Sequence, residues 1–333
     1  MGKAYIKQIA YYVPEKVEFN PQNRLTKKTG ILSRHICGEN EIASDLAIKA
    51  CEKLFLKGVD KAKVEYLLYC TQSPDYFLPT TACILQGKLR LSETCGAMDF
   101  NLGCSGYIYG LGLAKGLIES GQVKNVLLIT SETYSKYINP EDSTVKPLFG
   151  DGASATFIEA VDTDKEEGMN GFVFGTRGNG YDKLIVPVGG MRNRFGKVTI
   201  ENYEGVFGAK RTNYDLYMDG EAITEFAMDV VPDCVEQVLQ KTGLRKNEID
   251  YYVFHQANKF MLNYLQQSCG LEDEHFWNDV VNYGNTVSSS VPIALCDLLK
   301  QKKNLVLRKV LLCGFGVGLS WGGCVVGLER YKI

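Results

Sequence analysis

Two matching stretches decide the fold of this chain: Lys124-Asn125-Val126-Leu127-Leu128-Ile129 and Arg308-Lys309-Val310-Leu311-Leu312-Cys313. Each places an apolar run after a polar start, the pattern of a buried strand. A second pair precedes them in the same order, at residues 63–69 and 248–254. A Gly-rich, β-prone return follows each member of the first pair. Together these likenesses indicate two homologous lobes, although any single pair of apolar runs could match by chance.

Helical and strand-like segments alternate along the chain, which predicts an α/β architecture. The first lobe reads as a helix over about 41–57, a strand at 66–70, a helix from about 80, a strand at 97–100, a helix over 107–118 and a strand at 124–130. We predict an N-terminal lobe at 1–165, a connecting region at 166–215 and a C-terminal lobe at 216–333.

Composition excludes several classes of protein. The 333 residues carry a net charge of -2, so no overall electrostatic footprint for nucleic acid exists. Eleven cysteines occur without a Cys-x-x-Cys pair or a Cys/His spacing that would close a zinc site, so we expect free thiols and a reducing cytoplasm. The most apolar stretch, 310–319, is short and broken by glycines, so no membrane span is expected.

The stretch Asn101-Leu102-Gly103-Cys104-Ser105-Gly106 places a thiol between a strand and a helix. The glycines permit a sharp turn, and the amino end of a helix carries partial positive charge. We therefore expect the helix to lower the pKa of Cys104 and favour the thiolate. Taken alone, a buried structural cysteine is the commoner explanation for such a residue.

Histidine is scarce, which makes His255 conspicuous. It follows an apolar strand and opens the segment His-Gln-Ala-Asn, at the strand end where α/β sites usually lie. His35 reads as a structural residue and His275 as a surface residue. Asn285, in Tyr-Gly-Asn-Thr, precedes a helix predicted over 291–299 and could by itself be a turn or cap residue.

These motifs, taken in order, resemble those of the beta-ketoacyl-acyl-carrier-protein synthase III family and its relatives. The resemblance includes Gly-Cys-Ser-Gly, His-Gln-Ala-Asn, Gly-Asn-Thr and the terminal segment Gly-Phe-Gly-Val-Gly-Leu-Ser-Trp-Gly at 314–322. It covers nearly the whole length of the chain. It implies the thiolase fold, five layers in the order αβαβα built from two pseudo-duplicated lobes, and a homodimer.

The resemblance also implies roles for individual residues. Cys104 would hold an acyl group taken from a thioester. His255 and Asn285 would donate hydrogen bonds to the thioester oxygen of a malonyl group as carbon dioxide leaves. The backbone N–H groups of Cys104 and Val317 would stabilise the tetrahedral oxyanion. No metal and no bound organic cofactor is implied.

Some positions depart from the family pattern. Well-known members use a Trp and an Arg to hold the adenine of coenzyme A, where this chain has Arg24 and Lys28. An Arg usually stands two residues after His-Gln-Ala-Asn, whereas this chain has Lys259 followed by Phe260. Lys cannot reproduce bidentate phosphate binding. We therefore expect a carrier-protein thioester or an unusual starter as the acyl donor rather than acetyl-coenzyme A; the alternative is that Arg24 and Lys28 hold coenzyme A in the usual way.

Leu78 occupies the position of the family residue that lines the acyl pocket of the neighbouring subunit. A Leu there, smaller than an aromatic residue, would leave room for acyl groups longer than acetyl or branched ones.

The leading hypothesis is an enzyme that condenses an acyl group with a malonyl thioester and releases carbon dioxide. A malonyl carrier protein would supply the extender, and Arg24, Lys28 and Lys259 would form the patch that docks the acidic carrier protein. The alternative is a thiolase-fold acyltransferase that forms an ester or amide without condensation. A non-enzymatic scaffold subunit is disfavoured because the Cys, His and Asn are all present.

Overall fold

The structure is a computed structural model that describes residues 2–163, 168–205, 208–328 and 331. Within these residues, two five-stranded sheets form the centre of the fold. Sheet 1 contains β1 Lys3–Tyr12, β4 Tyr66–Cys70, β5 Gly96–Phe100, β6 Asn125–Glu132 and β7 Gly152–Val161. Sheet 2 contains β8 Met169–Thr176, β13 Tyr251–Phe254, β14 Phe276–Trp277, β15 Val310–Gly316 and β16 Ser320–Val326.

The two sheets share one topology. Their strand orders are β1-β7-β6-β4-β5 and β8-β16-β15-β13-β14. In both sheets the first two pairings in this order are antiparallel and the last two are parallel. The predicted duplication is therefore confirmed, since β6 corresponds to β15 and β4 to β13. Strand β8, from the predicted connecting region, is the counterpart of β1; the lobe boundaries themselves stay a prediction.

Helices cover both faces of both sheets. They are α1 Arg24–Thr29, α2 Ala43–Leu56, α3 Thr81–Leu89, α4 Gly106–Glu119, α5 Gly220–Thr242, α6 Lys259–Ser268, α7 Val280–Tyr283 and α8 Ser290–Gln301. The helices predicted over 41–57, from about 80, over 107–118 and over 291–299 correspond to α2, α3, α4 and α8.

Alternation along the strands produces the layers. Leu127 packs into the core that contains α2 and α3, whereas its neighbour Leu128 packs into the core that contains α4 and α8. In sheet 2, Leu312 joins the α4 and α8 core, and Leu311 joins the core of α5 and α6. Adjacent strand residues point to opposite faces, so each sheet is buried on both sides. The order of layers is αβαβα, as the family resemblance implied.

Three two-stranded pairs complete the structure. They are β2 Val17–Phe19 with β3 Ser33–His35, β9 Leu184–Ile185 with β12 Tyr217–Met218, and β10 Asn202–Glu204 with β11 Lys210–Thr212. The β9–β12 pair brings Leu184 and Met218 to the cavity described below.

Three segments that carry candidate site residues lie at the carboxyl ends of parallel strands. The turn after β5 leads into α4, the segment after β13 leads into α6, and the turn after β15 leads into β16. Helix α4 packs against β6 of sheet 1 and β15 of sheet 2. Residues after β5 and after β13 can therefore meet at one site between the lobes.

All eleven cysteines are free thiols. Over the described ranges, no helix is both long and apolar enough to cross a membrane.

Candidate active site

A cavity of about 680 Å³ contains the three residues predicted for catalysis: Cys104, His255 and Asn285. They come from the turn before α4, the position after β13 and the loop between α7 and α8. The structure therefore brings together residues up to 181 positions apart in the chain. A smaller cavity of about 370 Å³, near Cys37 and Lys136, contains none of these residues.

Cys104 lines the cavity but is buried, with only 3% of its surface exposed. The pKa of the Cys104 thiol is raised to about 12, chiefly by burial and also by the carboxyl of Glu132. Hydrogen bonds from the backbone N–H groups of Val317 and Cys104 act in the opposite direction. The resting side chain is therefore a protonated thiol.

The expectation that the helix end would favour a thiolate is wrong for the resting state. The turn does precede the amino end of α4, but desolvation penalises the charged sulfur more strongly than the helix and the two N–H groups stabilise it. Local sequence reveals a helix terminus, whereas the burial of the thiol depends on the second lobe.

The predicted oxyanion donors lie close to the sulfur. A Cβ placed on Gly316 would stand 2.8 Å from the Cys104 Sγ, so only glycine allows β15 to pass so near. The N–H groups of Cys104 and Val317 both point at this sulfur. An acyl group bonded to Sγ would bring its carbonyl oxygen near the same two donors, which suits the predicted role.

His255 is buried, and burial lowers its pKa to about 3, so the imidazole is neutral. Its Nδ1 lies 2.6 Å from Ser290 Oγ, which in turn accepts a hydrogen bond from the backbone N–H of Gln256 at 3.4 Å. The Ser290 hydroxyl can donate to Nδ1 in the tautomer that carries the ring proton on Nε2. This tautomer can donate to a substrate oxygen. Sequence analysis missed Ser290, whose role depends on a contact 35 positions away.

Asn285 is held in one orientation by its own loop. The backbone N–H of Val287 donates to Asn285 Oδ1 at 2.8 Å, which leaves the Nδ2 group as the donor available to a substrate. Val287 adopts a φ of 54°, which is rare for a β-branched residue and typical of functional loops. The Asn285 backbone also bonds to Leu148 and Gly150 of the first lobe.

The residues predicted to bind the acyl donor differ in their positions relative to the cavity. Lys28 lines it, and its Nζ lies 4.7 Å from the ring centre of Phe260, which also lines it. Arg24 begins α1 and is exposed. Lys259 begins α6, and its side chain packs over Gly30. These three cations therefore surround the contact between α1 and α6.

Two acidic residues at the cavity were missed by sequence analysis. Glu221 and Glu225, from the first turns of α5, line the cavity together with Thr224. The helix follows the connecting region, where the sequence contains no motif that would predict its position.

Leu78 does not line the cavity of its own chain. It lies in an apolar loop with Tyr76 and Phe77, and 86% of its surface is exposed. This loop is close to β5, the edge strand of sheet 1.

The described part of the chain contains one group of side chains close enough together to share a metal ion: Glu272, Glu274 and His275. The two glutamates are exposed, and His275 bonds to the Asp250 carbonyl at the amino end of β13, opposite the end occupied by His255. This group carries no evident role in the site. His35 bonds to the Pro14 carbonyl and stacks on Tyr283, a structural role as predicted.

Fold and site together define a thiolase-fold transferase with a buried cysteine. Family models described as "3-Oxoacyl-[acyl-carrier-protein (ACP)] synthase III" and its C-terminal part match residues 98–178 and 239–328. The chain belongs to the 3-oxoacyl-[acyl-carrier-protein] synthase III family.

Individual relatives match over nearly the full length. A beta-ketoacyl-[acyl-carrier-protein] synthase III of Clostridioides difficile is 34% identical over 338 residues, 97% of this chain and 98% of its own. A crystal structure of a 3-oxoacyl-(acyl-carrier-protein) synthase III matches with a TM-score of 0.94 and 42% identity, covering 98% of this chain and 99% of that one. A Burkholderia xenovorans 3-oxoacyl-(acyl-carrier protein) synthase matches with a TM-score of 0.89 and 32% identity, covering 99% and 95%.

The neutral state of His255 can be tested directly. With a pKa lowered from 6.5 to about 3, this ring should stay neutral, with its proton on Nε2, between about pH 5 and pH 8. The unfolded chain then binds more protons in acid, so His255 contributes stability that is lost as pH falls from 6.5 towards 3. Nitrogen-15 NMR of labelled histidines would measure both the tautomer and the titration.

Ser290→Ala should shift the His255 proton partly to Nδ1, because Nδ1 loses its donor. Ser289→Ala is the matched control, since Ser289 bonds to Thr130 and Gly152 rather than to His255. A parent ring that titrates near pH 6.5, or that carries its proton on Nδ1, would contradict the assignment.

Proposed function

We propose that this enzyme transfers an acyl group to Cys104 and then condenses it with a malonyl thioester, releasing carbon dioxide and forming a beta-ketoacyl thioester. The observation that carries the proposal is the pair of neutral donors, His255 Nε2–H and Asn285 Nδ2–H, beside a buried thiol in one cavity. Family membership supports the same reaction.

Acylation exchanges one thioester for another. The Cys104 sulfur attacks the donor carbonyl, and its bond to that carbon forms as the bond to the donor sulfur breaks. Since the resting thiol is protonated, its proton passes to the departing donor sulfur, which leaves as a thiol. The N–H groups of Cys104 and Val317 stabilise the intermediate oxyanion.

Condensation begins with the malonyl carboxylate. Its carbon–carbon bond breaks, carbon dioxide departs, and the electron pair forms an enolate whose oxygen accepts hydrogen bonds from His255 and Asn285. The enolate carbon then attacks acyl-Cys104, and the carbon–sulfur bond breaks to release the product and restore the cysteine after protonation. Neither donor needs to ionise, which suits a buried site.

An acyltransferase that forms an ester or amide would not need this pair of donors. Such an enzyme requires a base for an incoming alcohol or amine, whereas an imidazole with a pKa near 3 is a poor base at neutral pH. Malonyl turnover therefore separates the two reactions.

Asn285→Asp should retain acylation of Cys104 but lower the condensation rate by about 10²- to 10³-fold, because a carboxylate cannot donate to the enolate oxygen. Intact-protein mass would measure acyl transfer, and product formation from the pre-acylated enzyme would measure condensation. Cys104→Ala should show no mass gain.

Asn278→Asp serves as a matched control for this change. Its Oδ1 accepts from the Val280 N–H, a role that a carboxylate preserves, and it lies outside the residues that line the cavity. Equal condensation rates in Asn285→Asp and the parent would exclude the proposed role of the amide.

We propose that an acidic acyl carrier protein delivers the malonyl group, and an acyl-coenzyme A or a carrier thioester delivers the acyl group. Arg24, Lys28 and Lys259 form the docking patch. The docking patch is supported by the position of all three residues around the α1–α6 contact beside the cavity. Lys28 over Phe260 offers a cation and an aromatic surface, but no bidentate grip on phosphate.

Charge reversal at Arg24, Lys28 or Lys259 should raise the KM for carrier-bound substrates several-fold at low salt, and added salt should produce the same loss in the parent. Lys303→Glu, an equal change after α8, is the control, since it precedes β15 and so lies at the opposite end of that strand from the cavity. Steady-state kinetics at two ionic strengths would measure the effect; an unchanged KM in all three variants would reject the patch.

We propose further that two copies of the chain form a homodimer in which Leu78 reaches the acyl pocket of the partner. The proposal is supported by the exposed apolar loop of Tyr76, Phe77 and Leu78 and by the position of β5, one edge of which pairs with no strand among the described residues. Exposed apolar loops and open strand edges commonly mark interfaces. The eleven free thiols support a reducing compartment such as the cytoplasm.

Leu78→Trp should lower the ratio of the rate with a six-carbon acyl donor to the rate with an acetyl donor by about tenfold or more. The larger ring would fill part of the acyl pocket. Leu56→Trp is the control: Leu56, at the end of α2, is 87% exposed, nearly equal to Leu78. Sedimentation analysis would establish the dimer. A monomer, or the same chain-length preference in both variants, would contradict the assignment.

A further inference from the structure

Glu132 is a fully buried carboxyl that the proposed reaction does not use. It ends β6, the central strand of sheet 1, and none of its surface is exposed. No ion pair to Glu132 is found among the described residues. Burying a carboxyl without a cation is costly, so the residue is expected to have a specific task.

Among the described residues, the hydrogen-bond donors to Glu132 come from two segments of the site. Ser288 Oγ donates to Oε1 at 2.7 Å from the loop that carries Asn285. The N–H of Gln72 and the hydroxyl of Ser73 donate to Oε2 at 3.0 and 3.3 Å from the segment after β4. One carboxyl therefore joins the first lobe to the amide-bearing loop of the second.

The segment after β4 also adjoins the turn of the nucleophile. A Cβ placed on Gly103 would stand 2.6 Å from Gln72 Oε1. Ser288 approaches the same turn from the other side, with its Cβ 3.6 Å from the position of a Cβ on Gly106. Through Gln72 and Ser288, Glu132 therefore contacts the surroundings of both the turn that contains Cys104 and the loop that carries Asn285.

Three consecutive serines fix the amide loop, each to a different partner. Ser288 bonds to Glu132, Ser289 bonds to Thr130, and Ser290 bonds to His255. Thr130 and Glu132 are two positions apart on β6 and so share one face of the sheet. This face of β6 holds the loop where Val287 adopts its rare positive φ.

The protonation state of Glu132 agrees with a neutral, structural hydrogen-bonding role. Burial raises its pKa to about 8, and the nearby Asp151 carboxyl raises it as well. A neutral acid needs no cation beside it and still accepts hydrogen bonds from Ser288 and Gln72 on its two oxygens. It also avoids placing a negative charge near Cys104, where an ionised carboxyl opposes the thiolate.

We propose that Glu132 is a positioning residue, which acts through Ser288 to hold the Asn285 amide where the enolate oxygen forms. The expected effect of Glu132 on condensation rests on the proposed function, whereas its expected effect on the 285–290 loop does not. The carboxyl contacts neither the cavity nor the reacting atoms, so its influence should appear in condensation rather than in acyl transfer.

The test compares Glu132→Ala, Glu132→Gln and Ser288→Ala with the control Ser131→Ala. Ser131 is equally buried, but it faces the opposite side of β6 and donates to the Ala43 carbonyl of α2. Condensation from pre-acylated enzyme and acylation of Cys104 are measured separately, and hydrogen exchange of the 285–290 segment is followed by mass spectrometry.

Glu132→Ala and Ser288→Ala should lower condensation by about 10- to 100-fold, as displacement of a catalytic group by a fraction of an ångström does, while acylation changes little. Exchange in 285–290 should accelerate in both variants and not in Ser131→Ala. Glu132→Gln should recover part of the condensation rate, because its amide oxygen still accepts from Ser288, although its NH2 group cannot accept from the Gln72 N–H.

Equal losses of acylation and condensation, or exchange in 285–290 unchanged from Ser131→Ala, would overturn the proposal. If Glu132→Ala does not fold, Ser288→Ala carries the same test. If the parent itself fails to turn over a malonyl thioester, the proposed function fails, and the exchange measurement still decides whether Glu132 holds the loop.

Discussion

The contact between β15 and the turn before α4 is the constraint on which the site depends. A Cβ on Gly314 would stand 2.7 Å from the Cys104 carbonyl oxygen, and one on Gly316 would stand 2.8 Å from its sulfur. Larger residues would force the sheets apart, because a close-packed interior has little room to adjust. Helix α4 lies between the two sheets, so the separation of the lobes fixes where the thiol stands. His255 and Asn285 come from the second lobe, and their distance to the thiol follows from the same contact.

Burial then sets the protonation of the groups in the site. A thiol with its pKa raised to about 12 and an imidazole with its pKa lowered to about 3 are both neutral near pH 7. Charge therefore develops only as the reaction proceeds. In a poorly hydrated cavity, fixed N–H donors stabilise such charge more strongly than they would in water. The Ser290 hydroxyl and the Val287 N–H occupy His255 Nδ1 and Asn285 Oδ1, which leaves His255 Nε2 and the Asn285 Nδ2 group for the substrate.

The lining of the cavity carries both signs of charge. Lys28, over the ring of Phe260, lines it together with Glu221 and Glu225. Together with the net charge of -2, this arrangement gives little long-range attraction for an anionic substrate. Any attraction for an acidic partner therefore has to come from a local group of cations such as Arg24, Lys28 and Lys259.

The amino-acid sequence predicted much of the fold because the relevant signals are local. Apolar runs at 66–70 and 124–130 predicted β4 and β6, and a strand, a glycine turn and a helical period predicted the element boundaries around Cys104. His255 could be found because histidine is rare here and this one follows a buried strand. The repeated order of strands indicated two lobes, and the sheet topology confirmed it.

The sequence by itself determined the elements, their duplication and the candidate reactive side chains, since each depends on neighbouring residues or on a short motif. The tertiary structure alone decided the protonated state of Cys104, the contact between Ser290 and His255, the acidic residues of the cavity and the buried link from Glu132 to Ser288. These properties arise from desolvation and from hydrogen bonds between residues 35 to 156 positions apart. No local pattern records such contacts, because they exist only after the two lobes have packed together.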